Sequence, residues 1–127
     1  MHLKYTILYV KDVPKTLEFY EKAFNLKRAM FHESGDYGEL DTGNTKLAFS
    51  SVQLMTELGK KPGTPDSKAP VFEIAFETEN VQEALNNALK EGAILVQNVR
   101  DEPWGQTTSY VSDENGFLIE ICSPVQN

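Results

Sequence analysis

The sequence predicts an α+β fold of two βαβββ modules, whose curled mixed sheets surround one shared small-molecule cavity. Three observations carry this expectation. The order strand, helix, three strands occurs twice. Apolar positions of the first half recur in the second at a nearly constant offset: Val10, Val13 and Leu17 map onto Thr78, Val81 and Leu85, each 68 positions later, and Leu47 and Phe49 onto Ile119 and Ile121, each 72 later. A polar stretch rich in Gly and Pro, from Gly59 to Ser67, separates the halves. One such module exposes a face of its sheet, and pairing two modules encloses that face.

The first strand spans about Leu3 to Val10, rich in Tyr, Ile and Val. Asp12 is placed to cap the following helix, and Pro14 fits its first turn, where its missing N–H has no partner to lose. Val13, Leu17, Tyr20 and Phe24 form an apolar stripe at helical spacing, and Asn25 can end the helix in the left-handed conformation. Strands follow at about Lys27 to Glu33, Tyr37 to Asp41 and Thr45 to Ser51, with Ser34-Gly35-Asp36 and Thr42-Gly43-Asn44 as turns. Module 1 thus covers about residues 3–51. Residues 52–69 form the linker, with room for a helical turn around Gln53 to Leu58.

Module 2 covers about residues 70–124, within one domain of residues 1–127. Val71 to Thr78 reads as a strand. Asn80 with Glu83 matches a capping box, Val81, Ala84, Leu85, Ala88 and Leu89 form the stripe, and Gly92 the stop. Strands then fall at about Ala93 to Asn98, Thr107 to Ser112 and Phe117 to Cys122. Asp113-Glu114-Asn115-Gly116 is the turn before the last one.

The chain has 127 residues, enough to bury roughly two-thirds of its unfolded surface without a disulfide or metal. Its net charge of -7 argues against nucleic acid and anionic lipid as partners. No apolar run reaches the roughly 18 residues of a membrane span, and the opening Met1-His2-Leu3-Lys4-Tyr5 lacks a leader's apolar stretch. A cytoplasmic protein is the expectation. Cys122, the only cysteine, sits in an apolar strand as a buried bystander or a reactive thiol.

Strand alternation assigns faces. Phe117, Ile119 and Ile121, like Phe72, Ile74 and Phe76, should pack on the helix. Leu118, Glu120 and Cys122, with Glu73, Ala75 and Glu77, should line the cavity. The repeat places Tyr5, Ile7 and Tyr9 on the cavity face of the first strand, and Lys46, Ala48 and Ser50 on that of the fourth. Glu73 and Glu120 are then two converging carboxylates, able to transfer a proton or hold a cation, or else solvated or paired with a base such as Lys46. Tyr5, Tyr9 and Tyr110 either favour an aromatic ligand or simply fill space. Trp104, beside Gly105, can close over a planar ligand or plug a hydrophobic gap. His32 supplies a metal ligand only if it faces inward.

The stretches Leu8-Tyr-Val-Lys-Asp-Val-Pro-Lys-Thr-Leu-Glu-Phe-Tyr20, Ile74-Ala-Phe-Glu-Thr-Glu-Asn-Val-Gln-Glu-Ala-Leu85, Pro103-Trp-Gly-Gln106 and Tyr110-Val-Ser-Asp-Glu-Asn-Gly-Phe-Leu-Ile-Glu-Ile121 together resemble the vicinal oxygen chelate superfamily. That group includes glyoxalase, bleomycin-resistance proteins, fosfomycin-resistance enzymes and extradiol dioxygenases. In its metal-dependent members the first, fourth, fifth and eighth strands supply the ligands, usually His, Gln or Glu, then Glu or His, then His, then Glu. The matching positions are Tyr5, Ala48, Glu73 and Glu120. Ala48 offers no donor, and a tyrosine must first lose its proton. The resemblance therefore implies a protein that binds a small, partly aromatic molecule, most simply without a cofactor, through Tyr5, Tyr9, Ala48, Trp104 and Tyr110. The alternative is a lyase or isomerase of the glyoxalase type, with Glu120 and Glu73 as catalytic groups and ligands of a divalent metal completed by waters. A domain that has lost its site is a third reading. The resemblance also implies a homodimer.

Overall fold

The computed structural model describes residues 1–126 and divides into two compact units, Met1–Gly63 and Thr64–Asn127. Among the described residues there are eight strands and three helices.

The first unit contains β1 (Tyr5–Val10), α1 (Val13–Ala23), β2 (Lys27–Phe31), β3 (Tyr37–Asp41), β4 (Lys46–Ser51) and α2 (Val52–Glu57). Its sheet runs β1-β4-β3-β2, with β1 parallel to β4 and the other pairs antiparallel. Asp12 caps α1 by accepting from the Lys15 amide at 3.0 Å, and Asn25 leaves the helix with φ 54°. One face of α1 buries Val13, Leu17 and Tyr20, and one face of the sheet buries Leu8, Val10, Leu40, Leu47 and Phe49. The Tyr20 and Phe49 rings meet at 5.0 Å between centroids. Each such large side chain contributes about 2 kcal/mol on burial. Gly38 is needed on this face, because a Cβ there would lie 2.5 Å from Leu17 Cδ1. Ser51 ends β4 and caps α2, accepting from the Leu54 amide at 3.0 Å. The short helix in the linker thus starts one residue after the strand, at Val52.

The second unit contains β5 (Glu73–Glu77), α3 (Val81–Lys90), β6 (Ile94–Glu102), β7 (Gln106–Ser112) and β8 (Leu118–Cys122). Its sheet repeats the pattern as β5-β8-β7-β6, with β5 parallel to β8. Neither sheet closes into a barrel, and the architecture is α+β with two βαβββ modules. Val81, Leu85 and Ala88 of α3 are buried, as are Val111, Ile119 and Ile121 of the sheet. Asn80 Oδ1 accepts from the Glu83 amide at 3.1 Å, and Asn80 Nδ2 donates to Glu83 Oε2 at 3.2 Å. This is a variant of the expected capping box, in which the cap's own side-chain amide, rather than its backbone N–H, meets the glutamate. The turn before β8 is organised by Asp113, whose Oδ1 accepts from the amides of Asn115, Gly116 and Phe117 at 3.0, 2.9 and 2.9 Å.

Two strands differ most from expectation, while β1 and β2 are each two residues shorter. β5 is shorter than Val71 to Thr78, since only Glu73–Glu77 finds a partner in β8. β6 runs past Asn98 to Glu102, because register shifts between Leu95 and Gln97 and between Gln97 and Arg100 absorb extra residues while pairing with β7 continues. Such bulges break the period-2 pattern by which a strand is read from sequence.

Candidate functional site

In the second sheet, the face opposite α3 carries one cross-strand row of Ala75, Glu120, Tyr110 and Gln97, from neighbouring strands β5, β8, β7 and β6. Paired residues point to the same side of a sheet, and Glu73 joins them two residues before Ala75. The row brings Tyr110 Oη within 2.8 Å of Glu120 Oε2 and 3.2 Å of Glu73 Oε2. Glu120 and Tyr110 are partly buried and Glu73 is exposed. A phenol owns one proton, so Tyr110 donates to one carboxylate oxygen at a time or shares that proton between the two. Burial is the main force pushing the Tyr110 pKa upward, followed by its hydrogen bond to Glu120 and the charges of Glu120 and Glu73. The phenol therefore stays protonated and donates throughout the neutral range.

Cys122 lies on the same face, beside Glu77 and Thr108 in the ladder. It is buried, with Sγ 3.7 Å from the Phe76 carbonyl oxygen. Burial first, then Glu120, raises its pKa from 9.0 to about 11. A thiol held protonated is a poor nucleophile, so the bystander reading of Cys122 is the one this environment favours.

A second polar chain lies further along β7. Gln97 Nε2 donates to Thr108 Oγ1 at 3.3 Å, and Thr108 Oγ1 donates to Glu102 Oε1 at 3.0 Å. Arg100 Nε also donates to Glu102 Oε1. Arg100, the cation of this strand, is thereby committed to Glu102 rather than to Glu120 or Glu73.

Trp104 sits at the turn from β6 to β7, 54% exposed, with Nε1 donating to Gln106 Oε1 at 2.7 Å. Gln106 is four residues before Tyr110 along β7, a separation of roughly 13 Å. Trp104 is thus at the end of the sheet rather than over its row of carboxylates. Tyr5, Tyr9 and Ala48 belong to the first sheet. The ladder puts them on the face opposite α1, with Tyr5 beside Lys46, Ile7 beside Ala48 and Tyr9 beside Ser50. Tyr5 is 45% exposed, but Ala48 is fully buried, so its methyl group offers a ligand no surface to touch. Lys46 pairs with Asp41 at 3.1 Å.

The donor set does not make a metal centre of the glyoxalase type. Glu73 and Glu120 supply carboxylate oxygens, and one oxygen of each lies against the single shared proton of the Tyr110 phenol. Among the described residues no group of three or more His, Cys, Asp or Glu is placed to hold a metal ion. His32 is exposed, and its Nδ1 is 2.8 Å from Ser34 Oγ in a surface turn.

The assignment of faces in sequence left out β3. Tyr37 and Glu39 alternate with Gly38 and Leu40, which face α1, so both belong to the open side of the first sheet. The period-2 pattern of Tyr37 to Asp41 already contained that signal.

Among the described residues no helix is long and apolar enough to cross a membrane. No curated protein matches the chain. Solved structures similar to it include a glyoxalase-related enzyme from Fulvimarina pelagi, with 18% identity and TM-score 0.83 over 97% of this chain and 88% of that one. A glyoxalase/bleomycin resistance protein/dioxygenase family enzyme from Burkholderia phytofirmans PsJN shows 19% identity and TM-score 0.77 over 97% and 98%. TioX from Micromonospora sp. ML1 shows 18% identity and TM-score 0.73, again over 97% and 98%. At these identities the likeness is one of fold. The glyoxalase-like domain family model matches residues 3–126, and with the two βαβββ sheets this places the chain in the glyoxalase-like family, with a vicinal oxygen chelate fold.

Proposed function

We propose that this protein binds a small, partly aromatic molecule without a metal, using the open face of the β5–β8 sheet. The observation that carries the reading is the Tyr110 hydroxyl held between Glu120 and Glu73, with no ion pair to either carboxylate among the described residues. Carboxylates that meet only a shared phenol and, at Glu120, the neighbouring Cys122 thiol retain accepting oxygens. They suit a ligand that brings its own N–H or O–H donors, while Tyr110 offers a ring edge and Leu118 apolar surface on the same face. Glu120, partly buried, fixes the ligand's orientation, and the exposed Glu73 secures it at the rim. The acidic net charge excludes nucleic acid as a partner in this reading. A homodimer in the cytoplasm is the setting we propose for it.

The test is calorimetric titration of the chelator-treated protein with Mn²⁺, Ni²⁺, Zn²⁺ and Mg²⁺, beside Glu120→Ala, followed by a ligand screen read by Trp104 fluorescence. No metal binding in either protein, together with a hit lost in Glu120→Ala, is the expected result. Tight stoichiometric metal binding that Glu120→Ala abolishes would replace this reading with a metal-dependent lyase or isomerase in which Glu120 and Glu73 are the catalytic and metal-binding carboxylates.

A further inference from the structure

The turn from β7 to β8 contains the chain's one Asn-Gly pair, Asn115-Gly116. Such a pair can react with itself. A glycine has no Cβ to shield its amide nitrogen, so that nitrogen can attack the side-chain amide of the residue before it. Gly116 N loses its proton to hydroxide and bonds to Asn115 Cγ. The Cγ–Nδ2 bond breaks, and Nδ2 takes up a proton and leaves as ammonia. Water then opens the cyclic imide at either carbonyl, giving aspartate or isoaspartate. Water is consumed and ammonia released, with no change of oxidation state.

The folded turn opposes the first step at each atom it needs. Gly116 N–H donates to Asp113 Oδ1 at 2.9 Å and lies 3.2 Å from the Asp113 carbonyl oxygen. Loss of its proton would set a negative nitrogen against a carboxylate. Asn115 Nδ2, the leaving nitrogen, donates to Asp113 Oδ2 at 3.3 Å. Asp113 is itself 1% exposed and also accepts from the Asn115 and Phe117 amides, so it does not move aside alone. Behind Gly116, the Pro65 carbonyl oxygen fills the space a Cβ would need. The backbone at Asn115 and Gly116 is thus held from two sides, and cyclisation waits on local opening of the turn.

The products do not fit the closed turn. Aspartate at position 115 would replace the donor facing Asp113 Oδ2 with a second carboxylate. Isoaspartate would lengthen the main chain by a carbon before Gly116 and take the Gly116 and Phe117 amides out of step with Asp113 Oδ1. β8 starts at Leu118, just after this bracket. Its loss would therefore loosen the hairpin in which Glu120 meets Tyr110.

We propose that Asn115 is a modification site, deamidated spontaneously only when the β7–β8 turn opens, and that the conversion releases that turn irreversibly. Asp113 is the guard of the site. An opening long enough for cyclisation leaves behind a carboxylate that makes later openings easier.

The test incubates the unaltered full chain at physiological temperature and pH, folded in buffer and unfolded in urea. Peptide mapping then reads position 115 as asparagine, aspartate or isoaspartate. Conversion should be at least about tenfold slower in the folded chain, because opening breaks several hydrogen bonds, each worth about fivefold in the opening equilibrium. Asn115→Asp should lower the folding equilibrium constant about tenfold below that of Asn115→Ser, which loses the same bond to Asp113 without adding a charge. Urea midpoints measure that difference. Equal conversion rates in the two states, or an Asn115→Asp chain as stable as Asn115→Ser, would overturn the proposal. The rate comparison needs no variant, so it stands even if Asn115→Asp does not fold. Neither measurement involves a ligand, so the outcome is independent of the binding reading above.

Discussion

Glu120 and Glu73, on the neighbouring parallel strands β8 and β5, hold the same hydroxyl, that of Tyr110, at 2.8 and 3.2 Å. The shorter bond goes to the partly buried carboxylate and the longer to the exposed one. Removing the hydroxyl takes from partly buried Glu120 its 2.8 Å donor, while Glu73 remains solvated. Tyr110→Phe should therefore lower stability by about 1 kcal/mol. Glu73→Gln should stay within about 0.5 kcal/mol of the parent, as exposed substitutions usually do. Urea unfolding of the two variants measures both.

Ala48 marks where the halves diverge. It occupies the ladder position that Glu120 holds in the second half, yet it is fully buried. Ala48→Glu would restore the symmetry on paper and bury a charge in practice. A loss of about 3 kcal/mol or more is expected, read as a fall in the urea midpoint. A stable Ala48→Glu protein would mean that this face opens more easily than its packing implies.

Alkaline conditions should loosen the protein in stages. The folded pKa of Cys122 is raised to about 11, from 9.0. A raised pKa contributes stability in full below the unfolded value and loses it as pH rises through the folded one. The Cys122 contribution should therefore disappear between about pH 9 and 11. Tyr110 and Tyr37 are also raised, each chiefly by burial and then by its glutamate, so their contributions begin to fall only above the ordinary tyrosine range, near pH 10. Cys122→Ala should remove the earlier part of the decline and leave the later one. Urea midpoints across the alkaline range measure the difference.

Gly116 should tolerate no side chain. Its φ is 105°, and a Cβ there would run into the carbonyl oxygen of Pro65. Gly116→Ala should cost more than about 1 kcal/mol, from backbone strain and the clash together. Gly43, also at positive φ but with open space around it, should cost only the strain. Thermal melts of the two alanine variants separate the terms.

The repeat, the caps at Asp12 and Asn80 and the buried stripes of α1 and α3 were legible in sequence because each follows from local chemistry at fixed spacing. The face of Glu73, Glu120 and Tyr110 was legible because β5 and β8 alternate cleanly. What escaped were features set by pairing. The extra length of β6 depends on bulges that β7 tolerates. The burial of Ala48 depends on neighbours from other strands. The Tyr37–Glu39 bond joins side chains two residues apart that acquire meaning only once Leu40 and Gly38 are seen to face α1. Trp104, named for its aromatic reach, proved to be tethered to Gln106 at the sheet's end.

The irregularities of β2 and β6 reach beyond the ligand face. Both are outermost strands, and both carry register shifts, at Arg28–Met30 and at Leu95–Gln97–Arg100. A shifted edge presents its amides and carbonyls out of step with a straight incoming strand. Fibril growth is thus discouraged along those two rims. The opposite rims, β1 and β5, pair in even register. Of these, β5 alternates Glu73 and Glu77 and repels another copy of itself, which leaves β1, with its exposed Tyr5 and Ile7, as the rim where aggregation would begin in a concentrated solution.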